Sequence, residues 1–270
     1  MKVRIDKLLV ERGVAASRER AQAMVLAGRV LVDGQKVEKA GAGVDPGADI
    51  RLLGEDLKYV GRGGLKLEAA LDHWKIDPSG RTCLDVGAST GGFTDCLLQR
   101  GAAQVIAVDT GYGQIAVKLR SDPRVQLLEK TNARFLTAEH LRVLRTPTSA
   151  RPALAGGPEH AASITLVAID VSFISVTLIL PAVLAAAFVV LSQEAPQTRD
   201  LLVLIKPQFE AGRELVGKGG IVRDAQVQQG AVAKVAAAVA GLGGLNSEVM
   251  ESPILGMEGN REFFLHAEFR

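Results

Sequence analysis

The sequence predicts an α/β fold, a mostly parallel seven-stranded sheet with helices on both faces, preceded by a small α+β domain. Three observations carry this. From residue 82 onward, short apolar runs alternate with stretches of helical length, the pattern of successive βαβ units. The first of these runs, Thr82 to Val86, passes through Gly87 into a helix starting near Gly91, a strand–glycine turn–helix junction. Residues 1–53 carry their own apolar periodicity and turn signals, distinct from those of the longer C-terminal part of the chain.

Taken in order, Ile5, Leu8 and Leu9 share one helical face, and Gly13 stops that helix. Ser17 is placed to cap a second helix containing Ala21, Met24, Val25 and Gly28. Val30 to Val37 reads as a hairpin turning at Asp33-Gly34, and Asp49 to Leu52 as a returning strand. Residues 1–36 hold eight Lys/Arg against four acids, although the whole chain is only +2. A basic end on a near-neutral body suits a polyanion, and equally an ordinary solvated helix face.

Residues 54–62 are expected to be a semi-rigid connector, and 63–270 the second domain. Gly63 to Trp74 forms an amphipathic helix with Leu65, Leu67, Ala70, Leu71 and Trp74 as core candidates, and Lys66 faces away from most of them. Strands are expected over 82–87, 104–109, 125–129, 164–170, 201–206, 246–252 and 262–268, and helices over 91–100, 114–120, 137–145, 175–191 and 224–241. Thr146 to Ala162, with three prolines and two glycines, reads as an exposed insertion.

Composition narrows the function classes. Apolar content of 47% with 23% charged residues describes a globular protein. The most apolar run, 164–191, is interrupted by Asp170, Ser172, Ser175 and Pro181, which excludes a clean membrane span of roughly 20 residues. The start is charged from Lys2 and lacks the apolar core of a signal peptide, so a cytoplasmic protein is expected. Cys83 and Cys96 have no metal or redox spacing, and the four histidines are scattered, so no metal is expected.

The chemistry gathers at strand ends. The turn Asp85-Val86-Gly87-Ala88-Ser89-Thr90-Gly91-Gly92-Phe93 bares backbone N–H groups beside an open sheet edge, and its glycines admit a ligand closely. Asp85 suits an ammonium or hydroxyl better than a phosphate. The glycine spacing does not complete the dinucleotide fingerprint, which argues against a nicotinamide dehydrogenase, and a merely tight turn stays open. Asp109 closes the next strand, where such folds hold ribose hydroxyls. Asp170 and Lys206 close two later strands and are expected to meet beside the turn.

The order of elements and the residues Arg4-Ile5-Asp6-Lys7-Leu8-Leu9, Ser17-Arg18, Ala21, Gly28 and Val30-Leu31-Val32-Asp33-Gly34 resemble the S4-type RNA-binding module. That resemblance implies structured RNA as partner, with Arg4, Lys7, Arg18 and Arg20 on phosphates. Arg18 and Arg20 as plain solubilising residues remains the alternative. The segment Asp85 to Thr94 resembles the S-adenosylmethionine motif of FtsJ-like RNA methyltransferases. Arg62 to Leu67, Val108 to Gln114, Asp170 to Ser175, Lys206 to Glu210 and Gly259 to Phe264 are similar to segments of the TlyA family, also called haemolysin A.

This resemblance implies a Rossmann-like class I methyltransferase domain that methylates a ribose 2′-hydroxyl of ribosomal RNA, as naked RNA or in a subunit. It implies a Lys–Asp–Lys–Glu tetrad of Lys66, Asp170, Lys206 and Glu262, with Lys206 as base and Lys66 orienting the substrate, roles that are exchangeable. It further implies a cofactor held by Asp85, Gly87, Ala88, Ser89, Gly91, Gly92, Phe93, Asp109 and Asp170. Asn132 would meet its adenine, or simply cap a loop. A ribose hydroxyl is a weak acid and poor nucleophile, so a positioned base suits this chemistry. A non-catalytic ribosome-assembly protein and a membrane-active haemolysin are the competing readings, and oligomeric state is left open.

Overall fold

The computed structural model describes residues 2–15, 17–26, 28–53, 58–145, 164–188, 198–256 and 259–270. The chain divides into two compact units, Met1–Leu57 and Lys58–Arg270. The expected connector over 54–62 therefore splits. Residues 54–57 lie outside the described ones, and Lys58 to Arg62 belong to the second unit, where Tyr59 is buried at 1% exposure.

In the first unit, β1 (Val3–Arg4) leads into α1 (Ile5–Glu11), followed by α2 (Arg18–Leu26), β2 (Val30–Val32), β3 (Gln35–Lys36), β4 (Gly43–Val44) and β5 (Ile50–Leu52). Ser17 Oγ accepts the Arg20 N–H at 3.2 Å, the expected cap. Asp33 and Gly34 both take positive φ, 50° and 78°, the turn that joins β2 and β3 without splaying them. β5 pairs with β2 on its other edge, and the small pairing of β1 with β4 has no counterpart among the strands expected from the sequence. Ile5, Leu8, Leu9, Ala21, Met24, Val25, Val30 and Val32 form the core of this unit.

The second unit opens with α3 (Gly63–His73), then β6 (Thr82–Val86), α4 (Gly92–Gln99), β7 (Gln104–Val108), α5 (Val117–Arg120), β8 (Val125–Leu128), α6 (Ala138–Arg145) and β9 (Ile164–Ile169). It continues through α7 (Leu180–Ala187), β10 (Arg199–Ile205), α8 (Pro207–Glu210), α9 (Ala225–Gly241), β11 (Leu245–Glu251) and β12 (Phe263–Phe269). The sheet order is β11-β12-β10-β9-β6-β7-β8, with β12 antiparallel to both neighbours and the other pairs parallel. Leu67, Leu71, Phe93, Leu97, Leu119, Leu166 and Phe264 pack α3, α4 and α5 onto one face. Leu84, Ile106, Leu141, Val167, Val183, Val235 and Leu265 pack α6, α7 and α9 onto the other.

Two expected helices change, and one short helix is added. The one over 114–120 shrinks to α5, because Ala116 is held extended (ψ 139°) with its N–H donated to Thr90 O at 3.1 Å, so the helix starts only at Val117. The one over 175–191 becomes a 3₁₀ turn, Val176–Leu178, followed by α7; Pro181, which has no N–H to donate, stands in the first turn of α7. The short α8 was not anticipated. The expected insertion over 146–162 lies outside the described residues. Among those residues, no helix is long and apolar enough to cross a membrane.

Candidate active site

The sheet sets the site. The chain runs β6, β7, β8 in one direction and then returns to place β9 on the other side of β6. At that reversal the carboxyl ends of neighbouring strands diverge and leave a crevice. A cleft of about 520 Å³ lies there, within the usual range for small-molecule sites, between the β6 turn, the segment after β7, residues 131–133 and the segment after β9.

The glycine turn is built by backbone crowding. Gly87 has φ +89°, and its N–H donates to Val108 O at 2.8 Å. A Cβ on Gly87 would stand 2.2 Å from the carbonyl oxygen of Asp170, so no side chain fits where the chain leaves β6 beside the end of β9. A Cβ on Gly92 would likewise stand 3.0 Å from Gly64 N. Of the residues assigned to a cofactor, Gly87, Ser89, Asp109, Asn132 and Asp170 line the cleft. Asp85, Ala88, Gly91, Gly92 and Phe93 do not; they are buried and shape the turn, with Phe93 stacked 6.1 Å from Phe264.

Asp85 is fully buried. Its Oδ2 accepts from Thr94 Oγ1 at 2.6 Å, and its Oδ1 has no partner. Burial pushes the carboxyl up to about 7; the Thr94 hydroxyl opposes this, and the nearby charges of Asp170 and Asp109 add to it. Asp109 uses both oxygens on backbone, Oδ2 on Ser89 N at 2.8 Å and Oδ1 on Gly111 N. Asn132 caps a 3₁₀ turn through Arg134 N at 3.0 Å while also lining the cleft. Three carboxylates around one glycine turn disfavour a polyphosphate and suit a ligand carrying positive charge. The donor set therefore fits S-adenosylmethionine better than a dinucleotide.

The tetrad resolves into two pairs. Lys206 Nζ lies 2.6 Å from Asp170 Oδ1 and donates to Ser172 Oγ at 2.9 Å. Lys66 Nζ lies 2.5 Å from Glu262 Oε2, with both side chains nearly enclosed. Lys66 therefore does not stand apart from the core as its helical position suggested; α3 turns it inward because Glu262 waits there. The antiparallel register aligns Ile205 with Phe263, which brings Lys206 and Glu262, the residues just beyond that pair, to one end of the sheet. Asp170 joins them at the end of β9, and its Oδ2 lies 3.8 Å from where a Cβ on Gly63, at the start of α3, would stand.

Sequence reasoning passed over Ser172 and Phe173. Phe173 lines the cleft, is 92% exposed and takes φ 66°, with its ring 5.3 Å from that of Phe209. Position within the motif was the signal for both, two and three residues past Asp170.

The proposed RNA-contacting residues of the first unit are less free than their charge suggested. Arg4 forks onto buried Asp6 (Nη2 to Oδ2, 2.8 Å), and Arg18 and Gln22 donate to the same Oδ2 at 3.0 and 2.9 Å. These bonds hold the Asp6 carboxyl well below the usual range. Lys7 is exposed, and Arg20 is half-buried.

Comparison with known proteins gives two family matches, an FtsJ-like methyltransferase over residues 59–269 and an S4 domain over residues 3–50. The chain is 44% identical to the provisionally named rRNA methyltransferase YqxC of Bacillus subtilis, covering 98% of this chain and 85% of that one. It is 42% identical to the 16S/23S rRNA (cytidine-2′-O)-methyltransferase TlyA of Mycobacterium tuberculosis, over 98% and 89% of the two chains. A solved structure from Streptococcus thermophilus, provisionally named a hemolysin, matches with a TM-score of 0.69 at 38% identity, covering 99% of this chain and 88% of that chain.

Proposed function

The chain belongs to the TlyA family of FtsJ-like methyltransferases carrying an S4 domain, and on that premise we propose that it transfers a methyl group from S-adenosylmethionine to a ribose 2′-hydroxyl of ribosomal RNA. The observation that supports this reading is the presence of two lysine–carboxylate pairs, Lys206–Asp170 and Lys66–Glu262, at the end of the sheet that carries the cleft lined by Asp109 and Asp170. Bound there, the cofactor supplies an electrophilic methyl group on a sulfonium.

The chain's own residues do the rest. Gly87, Ser89 and Asp109, which line the cleft, would set the cofactor, and Asp85, buried behind the turn, would favour its cationic end when ionised. Lys206, entering the step as the neutral amine, would take the hydroxyl proton on Nζ, and Asp170, 2.6 Å away, would stabilise the ammonium that forms. Ser172 fixes the direction of that amine. Lys66, held by Glu262, orients the ribose or its phosphate. Transfer needs oxygen, carbon and sulfur in line, so much of the rate comes from positioning. An exposed aromatic ring at the cleft, Phe173, offers a stacking face to an unpaired base. The S4 unit supplies a phosphate-directed surface, and a ribosomal RNA substrate places the work in the cytoplasm.

The test is transfer of labelled methyl from S-adenosylmethionine to purified ribosomal subunits, followed by alkaline hydrolysis. Label in alkali-resistant dinucleotides is expected, since a blocked 2′-hydroxyl cannot attack the adjoining phosphate. Cofactor binding with no transfer to either subunit would move the reading to an assembly protein.

A further inference from the structure

We propose that Glu210 is a positioning residue for methyl transfer, clamping the segment that carries Asp170 to the segment that carries Lys206. The proposal rests on the reading that those two residues perform the reaction.

Glu210 ends α8, four residues past Lys206, and its side chain is buried. None of the catalytic roles assigned to the tetrad uses it. Its Oε1 accepts the Val176 N–H at 2.6 Å, and its Oε2 accepts the Ser175 hydroxyl at 2.5 Å. Both donors lie at the far end of the segment that begins at Asp170. Lys234 of α9 supplies the counter-charge, 3.1 Å from Oε2, and also donates to the Glu210 carbonyl oxygen at 2.9 Å.

Two segments are thus tied at both ends. Lys206 meets Asp170 and Ser172 at one end, and Glu210 meets Ser175 and Val176 at the other. Between them the Phe173 and Phe209 rings lie tilted to one another with centroids 5.3 Å apart. A carboxylate accepting a backbone N–H and a hydroxyl at such short range fixes both partners more firmly than apolar packing does. An error of about 1 Å at a reacting group costs on the order of a hundredfold in rate, so a remote clamp of this kind is kinetically visible.

The test uses the full chain. Glu210→Met with Lys234→Met removes both acceptors without stranding an ammonium. The expected result is a kcat for methyl transfer to ribosomal subunits lowered about tenfold or more, with KM for RNA and cofactor affinity changed by less than about fivefold. Amide exchange over residues 170–178 is expected to quicken while residues 82–99 are unaffected. Glu210→Gln with Lys234→Met keeps an acceptor for the Val176 N–H and is expected to recover much of kcat.

A kcat for the first double variant within about twofold of the parent overturns the proposal. So does absence of recovery in the second, which would assign the loss to charge. If the first variant does not fold, Ser175→Ala removes one leg alone, and an unaltered kcat there also overturns it. A parent protein that methylates no ribosomal RNA overturns the proposed function instead; the clamp then stands or falls on amide exchange over 170–178.

Discussion

Single side chains at the cleft carry opposed demands. Asp85 is buried with one oxygen unpartnered, and its pKa is raised to about 7. A carboxyl whose folded pKa lies above its unfolded value of about 4 stabilises the fold at low pH, and that contribution fades as pH rises through the folded pKa. The ligand-free protein is therefore expected to lose thermal stability between about pH 4 and pH 7. Asp85→Asn should flatten this slope while weakening cofactor binding, as melting curves and calorimetry would show. An unchanged slope would mean that Asp85 does not titrate there. Phe173 holds a left-handed backbone that costs a non-glycine residue roughly 1–2 kcal/mol, yet its ring is almost wholly in water. Strain without burial points to use, not packing. Phe173→Leu is expected to leave the melting temperature within a degree or two while raising KM for RNA severalfold. Normal KM in that variant would remove Phe173 from the substrate surface.

Among the elements, the junction from β6 to α4 was legible because glycine spacing and an apolar strand read the same way at any depth in a protein. The inward turn of Lys66 was not legible in helical periodicity, where a lysine near a helix start is ordinary; only the family resemblance grouped it with Glu262, 196 residues later. Ser172 and Glu210 escaped for the same reason, since their partners come from segments distant in sequence: Lys206 for Ser172, and Ser175, Val176 and Lys234 for Glu210. Beside the end of β9, Gly87 has no room for even a methyl group, since a Cβ would stand 2.2 Å from Asp170 O. Gly87→Ala should therefore both lower stability, by several kcal/mol in view of the left-handed φ and the clash with backbone, and abolish cofactor binding. Stable, cofactor-competent Gly87→Ala protein would contradict the packing described. In the first unit, charge patterning flagged Arg4 and Arg18 as RNA contacts but could not show that Asp6 engages both. The low pKa of Asp6 gives stability that is complete above pH about 4 and is lost as pH falls further. Residues 1–57 are expected to unfold first in acid, and Asp6→Asn should move that transition to neutral pH, followed by hydrogen exchange. Charge reversal at Lys7, which does not disturb Asp6, is the cleaner probe of RNA binding; it should flatten the salt dependence by about one phosphate contact.

For the molecule as a whole, alternation of strand and helix predicted the architecture, and the two expected C-terminal strands proved to be the antiparallel edge pair. Lys206→Ala is expected to abolish methyl transfer while leaving cofactor affinity within a few-fold, because Lys206 lies outside the glycine turn. Wild-type turnover in that variant would remove the assigned base. The reversed direction of β12 has its own consequence. Glu262 shares a strand face with Phe264, which is locked into the core against Phe93. Sliding β12 by one residue would carry the carboxylate to the opposite side of the sheet and would drag Phe264 out of its seat with it. The apolar interior thus acts as a proofreading device for the placement of Glu262: a chain that mispairs β12 forfeits the seat of Phe264 together with the Lys66–Glu262 pair, so it is unstable as soon as it is misregistered.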